Sequence, residues 1–246
     1  MNEILFRQLA VDYCCTPEEV LDHRNHFTEH QFLEGRRRFL EGTECFLKLA
    51  VVNGKILFSG NRDIVDWCRN EYAGTGAEWF MEAKNLRKLN DRLQLDGYQI
   101  ETAHPFFISE SMTEISTEGH EIRWFYDDEI EQFRGDGRFD EAFAFCKDAP
   151  DVIGVAAVRE GRILGMAGAS ADSPAMWQIG INVDPQMREA GIGKMLVTLL
   201  KNEILKKGIL PFYGTSMSHI ASQRVALGAG FVPAWAELAT SKISRS

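Results

Sequence analysis

The residues best suited to chemistry lie between Trp177 and Phe231. Arg188-Glu189-Ala190-Gly191-Ile192-Gly193 is a glycine-bearing turn that runs straight into a helical pattern. The first turn of a helix has free N–H groups and a partial positive charge, so it attracts anions. Gly191 and Gly193 have no Cβ to keep a ligand from the backbone. Arg188 adds a planar, permanently charged fork. The implied ligand is a phosphate or a pyrophosphate. The chain has no G-x-x-x-x-G-K-[ST] loop, and no G-x-G-x-x-G in the right place for a dinucleotide fold. A helix-capping turn without a ligand is the competing reading.

The elements around this turn can be read from their patterning. Trp177 to Val183 is a strand with β-branched Ile179, Ile181 and Val183, and Asp184-Pro185 stops it. Ile192, Met195, Leu196, Leu199, Leu200, Ile204 and Leu205 recur at the spacing of one apolar helical face. Lys201, Lys206 and Lys207 are expected at the far end of that helix, where cations suit the dipole, and Gly208 closes it. A strand from Leu210 to Ser216 follows, then a helix from His219 to Ala229, then Gly230-Phe231 leading into a last strand.

Val183, Pro185, Arg188, Gly191 and Gly193 match a V-x-P-x-x-[RQ]-x-x-G-x-G pattern. With the order of strand, loop, helix, strand, helix and Gly-Phe, the chain over about residues 120–240 resembles the GNAT superfamily of acyl-CoA-dependent N-acetyltransferases. The resemblance implies a mixed, mostly antiparallel sheet flanked by helices, of the α/β (α+β) class. It implies acetyl-CoA as co-substrate and an amine as acceptor. Ile181, Asn182 and Val183 would pair their backbone with the pantetheine arm. Arg188, Glu189, Ala190, Gly191, Ile192, Gly193 and Lys194 would hold the pyrophosphate, and Ser222 would bond CoA.

The sequence departs from the family where catalysis is concerned. The family often has a glutamate early in the cofactor strand; here that position is Gln178, which cannot act as a base. The family tyrosine, four residues before the Gly of Gly-Phe, is replaced by Ala226. Tyr213 and His219 are the nearest candidates for proton transfer. Their structural alternatives are a packed tyrosine and a helix cap. Trp124, Phe125, Tyr126 and Trp177 line either an acceptor pocket or the core. The acidic run from Asp127 to Glu131 is either an acceptor-side wall for a cationic amine or a solvated helix start. The expected activity is therefore acetyl transfer to a small amine. The alternative is a CoA-binding sensor without turnover.

The 246 residues carry a net charge of −9 and are 45% hydrophobic, enough for one large domain or two small ones. A general nucleic-acid binder needs a basic face. Arg36-Arg37-Arg38, flanked by Glu34 and Glu41, reads instead as a solvated helix face. Absence of an 18-residue apolar run and of a leader, with five cysteines in no metal spacing, points to a reduced, cytoplasmic protein without membrane contact. A homodimer is left open.

The first half needs its own account. Asn2 to Tyr13 is short and mixed. Thr16-Pro17-Glu18-Glu19 opens a helix expected to run towards Leu40. That helix would put His23, His26 and His30 on one face, where a metal is conceivable, although the polar neighbours favour an ordinary surface and no metal is assigned. Asn53-Gly54 and Glu160-Gly161 each centre a hairpin. Asp63 is expected to cap a short helix. Leu86 to Leu95 is helical, and Gly97-Tyr98 starts a strand. Pro105 to Gly119 reads as a linker. Strand Glu121–Phe125 and a helix over roughly Phe139 to Lys147 follow. The hairpins and the later Gly97-Tyr98 and Gly230-Phe231 pairs recur in both halves. Residues 1–118 are therefore read as a degenerate GNAT-like unit without a cofactor motif, and 119–246 as the acetyltransferase domain.

Overall fold

The computed structural model describes residues 2–37, 45–187 and 191–244. Contacts divide the chain into two compact units. One comprises residues 1–106 with 234–246, the other residues 107–233. The last strand's residues from Ala234 onwards thus pack with the first half, so unit bounds and sequence halves do not coincide.

In the first unit, helices α1 (Glu3–Asp12) and α2 (Pro17–Leu21) precede strands β1 (His26–Glu29), β2 (Leu47–Val52) and β3 (Lys55–Gly60). Helices α3 (Arg62–Tyr72) and α4 (Ala83–Gln94) then lead to β4 (Tyr98–Ile108). With the final strand β10 (Val232–Lys242), the sheet order is β1-β3-β2-β10-β4. β1 runs parallel to β3, and β2 antiparallel to β3 and β10. Asn53 and Gly54 both take positive φ, as a tight two-residue hairpin requires.

Several local expectations give way here to long-range bonds. Asn2 to Tyr13 is a helix, with the Asn2 side chain accepting from Leu5 N. Thr16 and Glu19 form the reciprocal capping box, but α2 lasts only five residues. The Asn25 side chain then accepts from Ile56 N and donates to Tyr72 O and Thr75 O. These bonds pull the following residues out as strand β1. His23, His26 and His30 therefore do not share a helical face. His26 pairs with Asp22 at 2.9 Å, and His30 Nδ1 lies 3.3 Å from Ser59 Oγ. Among the described residues no His, Cys, Asp and Glu group is arranged to hold a metal. Helix α3 is capped by Asn61, not by Asp63. Arg37 is buried rather than solvated: its guanidinium pairs with Asp12 and Glu237, and its Cζ stands 5.0 Å from the Trp235 ring centroid. Arg38 lies outside the described residues.

The second unit contains β5 (Glu121–Tyr126), β6 (Asp151–Arg159), β7 (Arg162–Ser170), β8 (Met176–Val183), α5 (Ile192–Lys206), β9 (Leu210–Gly214) and α6 (Ile220–Gly228). Its sheet order is β9-β8-β7-β6-β5, antiparallel except for the β8–β9 pair. The expected class, mixed α/β with a mostly antiparallel sheet flanked by helices, is what the structure shows. One sheet face packs Val155, Ala167, Ile179 and α5 residues Leu196 and Leu200. The other face packs Ala156 and Met166 against Phe133, Phe139 and Phe143.

The expected helix over Phe139 to Lys147 does not form. A single turn closes with Phe143 N donating to Phe139 O. Asn182 Oδ1 instead takes the amides of Glu141 (3.0 Å) and Ala142 (2.7 Å), and Asp151 takes that of Phe145. Amides diverted to side chains cannot propagate a helix. Pro105 to Ile108 belongs to β4 rather than to a linker.

Lys201 also differs from expectation. It is buried, and its Nζ donates to Ala229 O (2.8 Å) and Thr113 Oγ1 (2.9 Å). Burial lowers its pKa from 10.5. Between the lowered value and 10.5 the unfolded chain binds more protons than the folded one, so stability rises with pH there. We expect urea unfolding to show wild type gaining stability relative to Lys201→Met as pH approaches 10.5. Parallel curves would count against this.

Candidate functional site

Strand β8 is paired on its two sides over different lengths. Gln178 to Val183 matches Ser170 to Gly165 of β7. Only Met176 to Gln178 matches Leu210 to Phe212 of β9. The parallel ladder therefore ends at Gln178, and Ile179 to Val183 continue beyond it on that side. Backbone N–H and C=O groups along such an edge need a partner, and an extended ligand arm can supply one.

The edge leads into the glycine-bearing loop before α5. Asp184 accepts from Gln186 N and pairs with Arg162; the Gln186 bond first, and then Arg162, hold its carboxyl below the usual range. Arg188, Glu189 and Ala190 lie outside the described residues. Gly191 is the N-cap of α5 at φ 78°, a left-handed conformation that suits glycine, with open space where a side chain would go. Met195 N donates to Gly191 O, the first bond of the helix ladder. The N–H groups of Ile192, Gly193 and Lys194 thus belong to the first turn, where no helical acceptor exists.

The two glycines differ in role. Gly193 is buried, and a Cβ there would stand 3.3 Å from Val225 and 3.4 Å from Val183. It lets α5 pack against β8 and α6. Gly191 is the one that faces open space. Ile192 is buried against Gly165, whereas Lys194 is exposed.

Tyr213 and Ser222 are brought together. The Tyr213 hydroxyl lies 2.8 Å from Ser222 Oγ, and its ring is buried beside Phe231. Burial pushes the phenol up, the Ser222 bond opposes that, and the Glu141 carboxylate adds to the rise. The phenol therefore keeps its proton at neutral pH. His219 is exposed at the N-cap of α6, and its ring makes no cap bond among the described residues. Ala226 is buried.

A cavity of about 480 Å³ adjoins the end of β8. Phe139, Leu164 and Val183 give it an apolar wall, and Arg138, Arg162 and Asn182 bring polar groups. Trp124 and Trp177 pack against the core, and Phe125 against the Phe133 cluster. None of Trp124, Phe125, Tyr126 or Trp177 lines the cavity. The acidic run is a 3-10 turn in which Glu129 accepts from Tyr126 N and Glu131 pairs with Arg134. What the sequence missed is the 139–143 segment. Its only local signal was phenylalanine spacing, which pointed to a helix.

Residues 117–231 match the model of the acetyltransferase (GNAT) family. The match is confined to that segment, 115 of the 246 residues. Among solved structures, the chain is similar to a GCN5-related N-acetyltransferase-like protein from Streptococcus suis 89/1591. That pair is 13% identical, covers 94% of this chain and 97% of the other, and has a TM-score of 0.49. It is also similar to a GCN5-related N-acetyltransferase from Kribbella flavida, at 15% identity and a TM-score of 0.46. That match covers 65% of this chain and 64% of the other. No curated protein matches the chain. The resemblance to the family is therefore one of the segment 117–231. No helix among the described residues is long and apolar enough to cross a membrane.

Proposed function

We propose that the GNAT segment binds acetyl-CoA and transfers its acetyl group to the amine of a small molecule. The carrying observation is the β8 edge beyond Gln178, which leads into the first turn of α5 at Gly191. In this reading the backbone of Ile181, Asn182 and Val183 pairs with the pantetheine arm. The N–H groups at Gly191 to Lys194, with Arg188, Glu189 and Ala190 in the same loop, hold the pyrophosphate. A β8 backbone N–H near Ile181 to Val183 polarises the thioester carbonyl. Tyr213, protonated and bonded to Ser222, is the acid for the departing thiolate. His219 is a second candidate for proton transfer. The cavity of about 480 Å³ is of the size that takes a small molecule.

Residues 1–118 are proposed to be a degenerate GNAT-like unit, and 119–246 the acetyltransferase domain. The Asn53-Gly54 hairpin of the former and the Glu160-Gly161 hairpin of the latter share positive φ at both turn residues. A cytoplasmic location and a homodimer belong to the same proposal. The second reading, a CoA-binding sensor, is favoured by Gln178 and Ala226, which stand where the family's usual catalysts would be.

Calorimetric titration with acetyl-CoA tests the cofactor site. Gly193→Asp is unsuitable, since it forces a carboxylate between Val183 and Val225. Gly191→Asp puts the charge where nothing lies within 4 Å, at the cost of some backbone strain from the positive φ, so its folding is checked first. We expect the wild type to bind and the folded Gly191→Asp variant to bind at least about tenfold more weakly, by charge repulsion at the anion site. A folded wild type that binds no CoA species overturns the proposal. CoA release across an amine panel separates enzyme from sensor.

A further inference from the structure

Side chains alternate along a strand, so Gln178, Gly180 and Asn182 share one face of β8. That face is covered by the segment that failed to become a helix. The Glu141 carbonyl lies so close to Gly180 that a Cβ there would fall 1.8 Å from it. Beside it, a Cβ at Gly168 would fall 2.1 Å from the Ala142 carbonyl. Asn182 fixes the same segment from three directions. Its Oδ1 accepts from Glu141 N and Ala142 N, and its Nδ2 donates to Asp140 Oδ1 at 3.2 Å. The backbone of Glu141 is thus locked two strand positions from Gln178, on Gln178's own face. Its side chain remains exposed to solvent.

We propose that Glu141 supplies the carboxylate that position 178 lacks and takes the proton from the acceptor amine during acetyl transfer. This rests on the acetyl-transfer reading given above. The amine nitrogen bonds to the acetyl carbon of acetyl-CoA and the carbon–sulfur bond breaks. The amine proton passes to the Glu141 carboxylate, and the departing thiolate takes the Tyr213 proton. The residues that hold Glu141 there, Gly180 and Asn182, lie in the strand whose backbone would pair with the cofactor. Residues 137–139, separated from Glu141 by Asp140, line the cavity of about 480 Å³.

The test uses the full chain with Glu141→Gln and Glu141→Ala, checked for folding by circular dichroism. We expect acetyl-CoA affinity within about twofold of wild type, and kcat/KM for the best amine of the panel lowered about 100-fold, the loss typical of removing a general base. Variants within about threefold of wild type would overturn the role while leaving acetyl transfer intact. A second readout needs no turnover. In the ¹³C-tyrosine spectrum at neutral pH, the Tyr213 resonance is identified by its disappearance in Tyr213→Phe. It should move in Glu141→Gln, since the Glu141 charge acts on the Tyr213 phenol. An unmoved resonance overturns the placement. A wild type that binds acetyl-CoA but acetylates no amine removes the acetyl-transfer reading and this role with it.

Discussion

Asp12→Ala is expected to destabilise the protein by about 3–5 kcal/mol, the cost of stranding a buried charge by removing its partner. Asp12 is 3% exposed and Arg37 9%. Asp12 accepts from the Arg37 backbone N at 2.8 Å, from the Arg37 guanidinium, and from Gln8 Nε2 at 2.9 Å. Glu237 takes the other side of the guanidinium and also accepts from the Tyr13 hydroxyl at 3.1 Å. Alanine takes one acceptor from Gln8, which keeps Gly35 O, and one from Arg37, which keeps Glu237, in a buried site. Asp12→Asn keeps the shape and one acceptor, so it should cost less. Urea unfolding of the two variants beside wild type measures the difference; equal, small losses would show the cluster to be energetically slight.

The same cluster has a pH signature. Burial alone would raise the Asp12 carboxyl, but Arg37, helped by Lys48, holds it below its ordinary 3.8. The stabilisation is therefore complete above about 3.8 and is lost as pH falls through the lower, folded value. Wild type should lose stability in acid below 3.8 more steeply than Asp12→Asn. Unfolding curves collected between pH 2 and 5 check it.

Gly180→Ala is the second large effect. A methyl group would sit 1.8 Å from the Glu141 carbonyl oxygen and 2.9 Å from its carbon. Both obstacles are backbone, and Asn182 holds that backbone by two amides, so little can yield. The cost should reach about 3 kcal/mol, the upper part of the range for overpacking. Gly154→Ala is the instructive contrast. Its close neighbour, 2.7 Å away, is the edge of the Phe143 ring, which can turn. Gly137→Ala meets nothing within 4 Å and should be near neutral. If the three variants unfold at the same denaturant concentration, the segment is not clamped as described. Should Gly180→Ala fold with residues 140–143 displaced, amine turnover should fall with it, since Glu141 would lose its place.

What the sequence determined alone are features whose physics is local. The Asn53-Gly54 and Glu160-Gly161 hairpins follow from residues that tolerate positive φ. The Thr16–Glu19 capping box, the start of α5 after Gly191 and its end before Gly208 follow from backbone groups that neighbours three or four residues away can satisfy. The glycine-bearing motif was legible for the same reason: strand, loop and helix are adjacent in sequence.

Tertiary structure decided the rest. Asn25 reaches Ile56 and Tyr72, and so turns an expected helix into β1 and separates three histidines. Asn182 reaches back to Glu141 and Ala142, which removes a second expected helix and leaves the Glu141 backbone over Gly180. Lys201 fits the polar end of a helix by sequence, yet Ala229 and Thr113 receive it in the interior. Arg37 reads as part of a solvated run, yet Asp12 and Glu237 bury it. In each case a polar side chain finds its partner far away along the chain. Periodicity cannot register such a partner, because it records only which residues avoid water and not which buried polar groups satisfy one another.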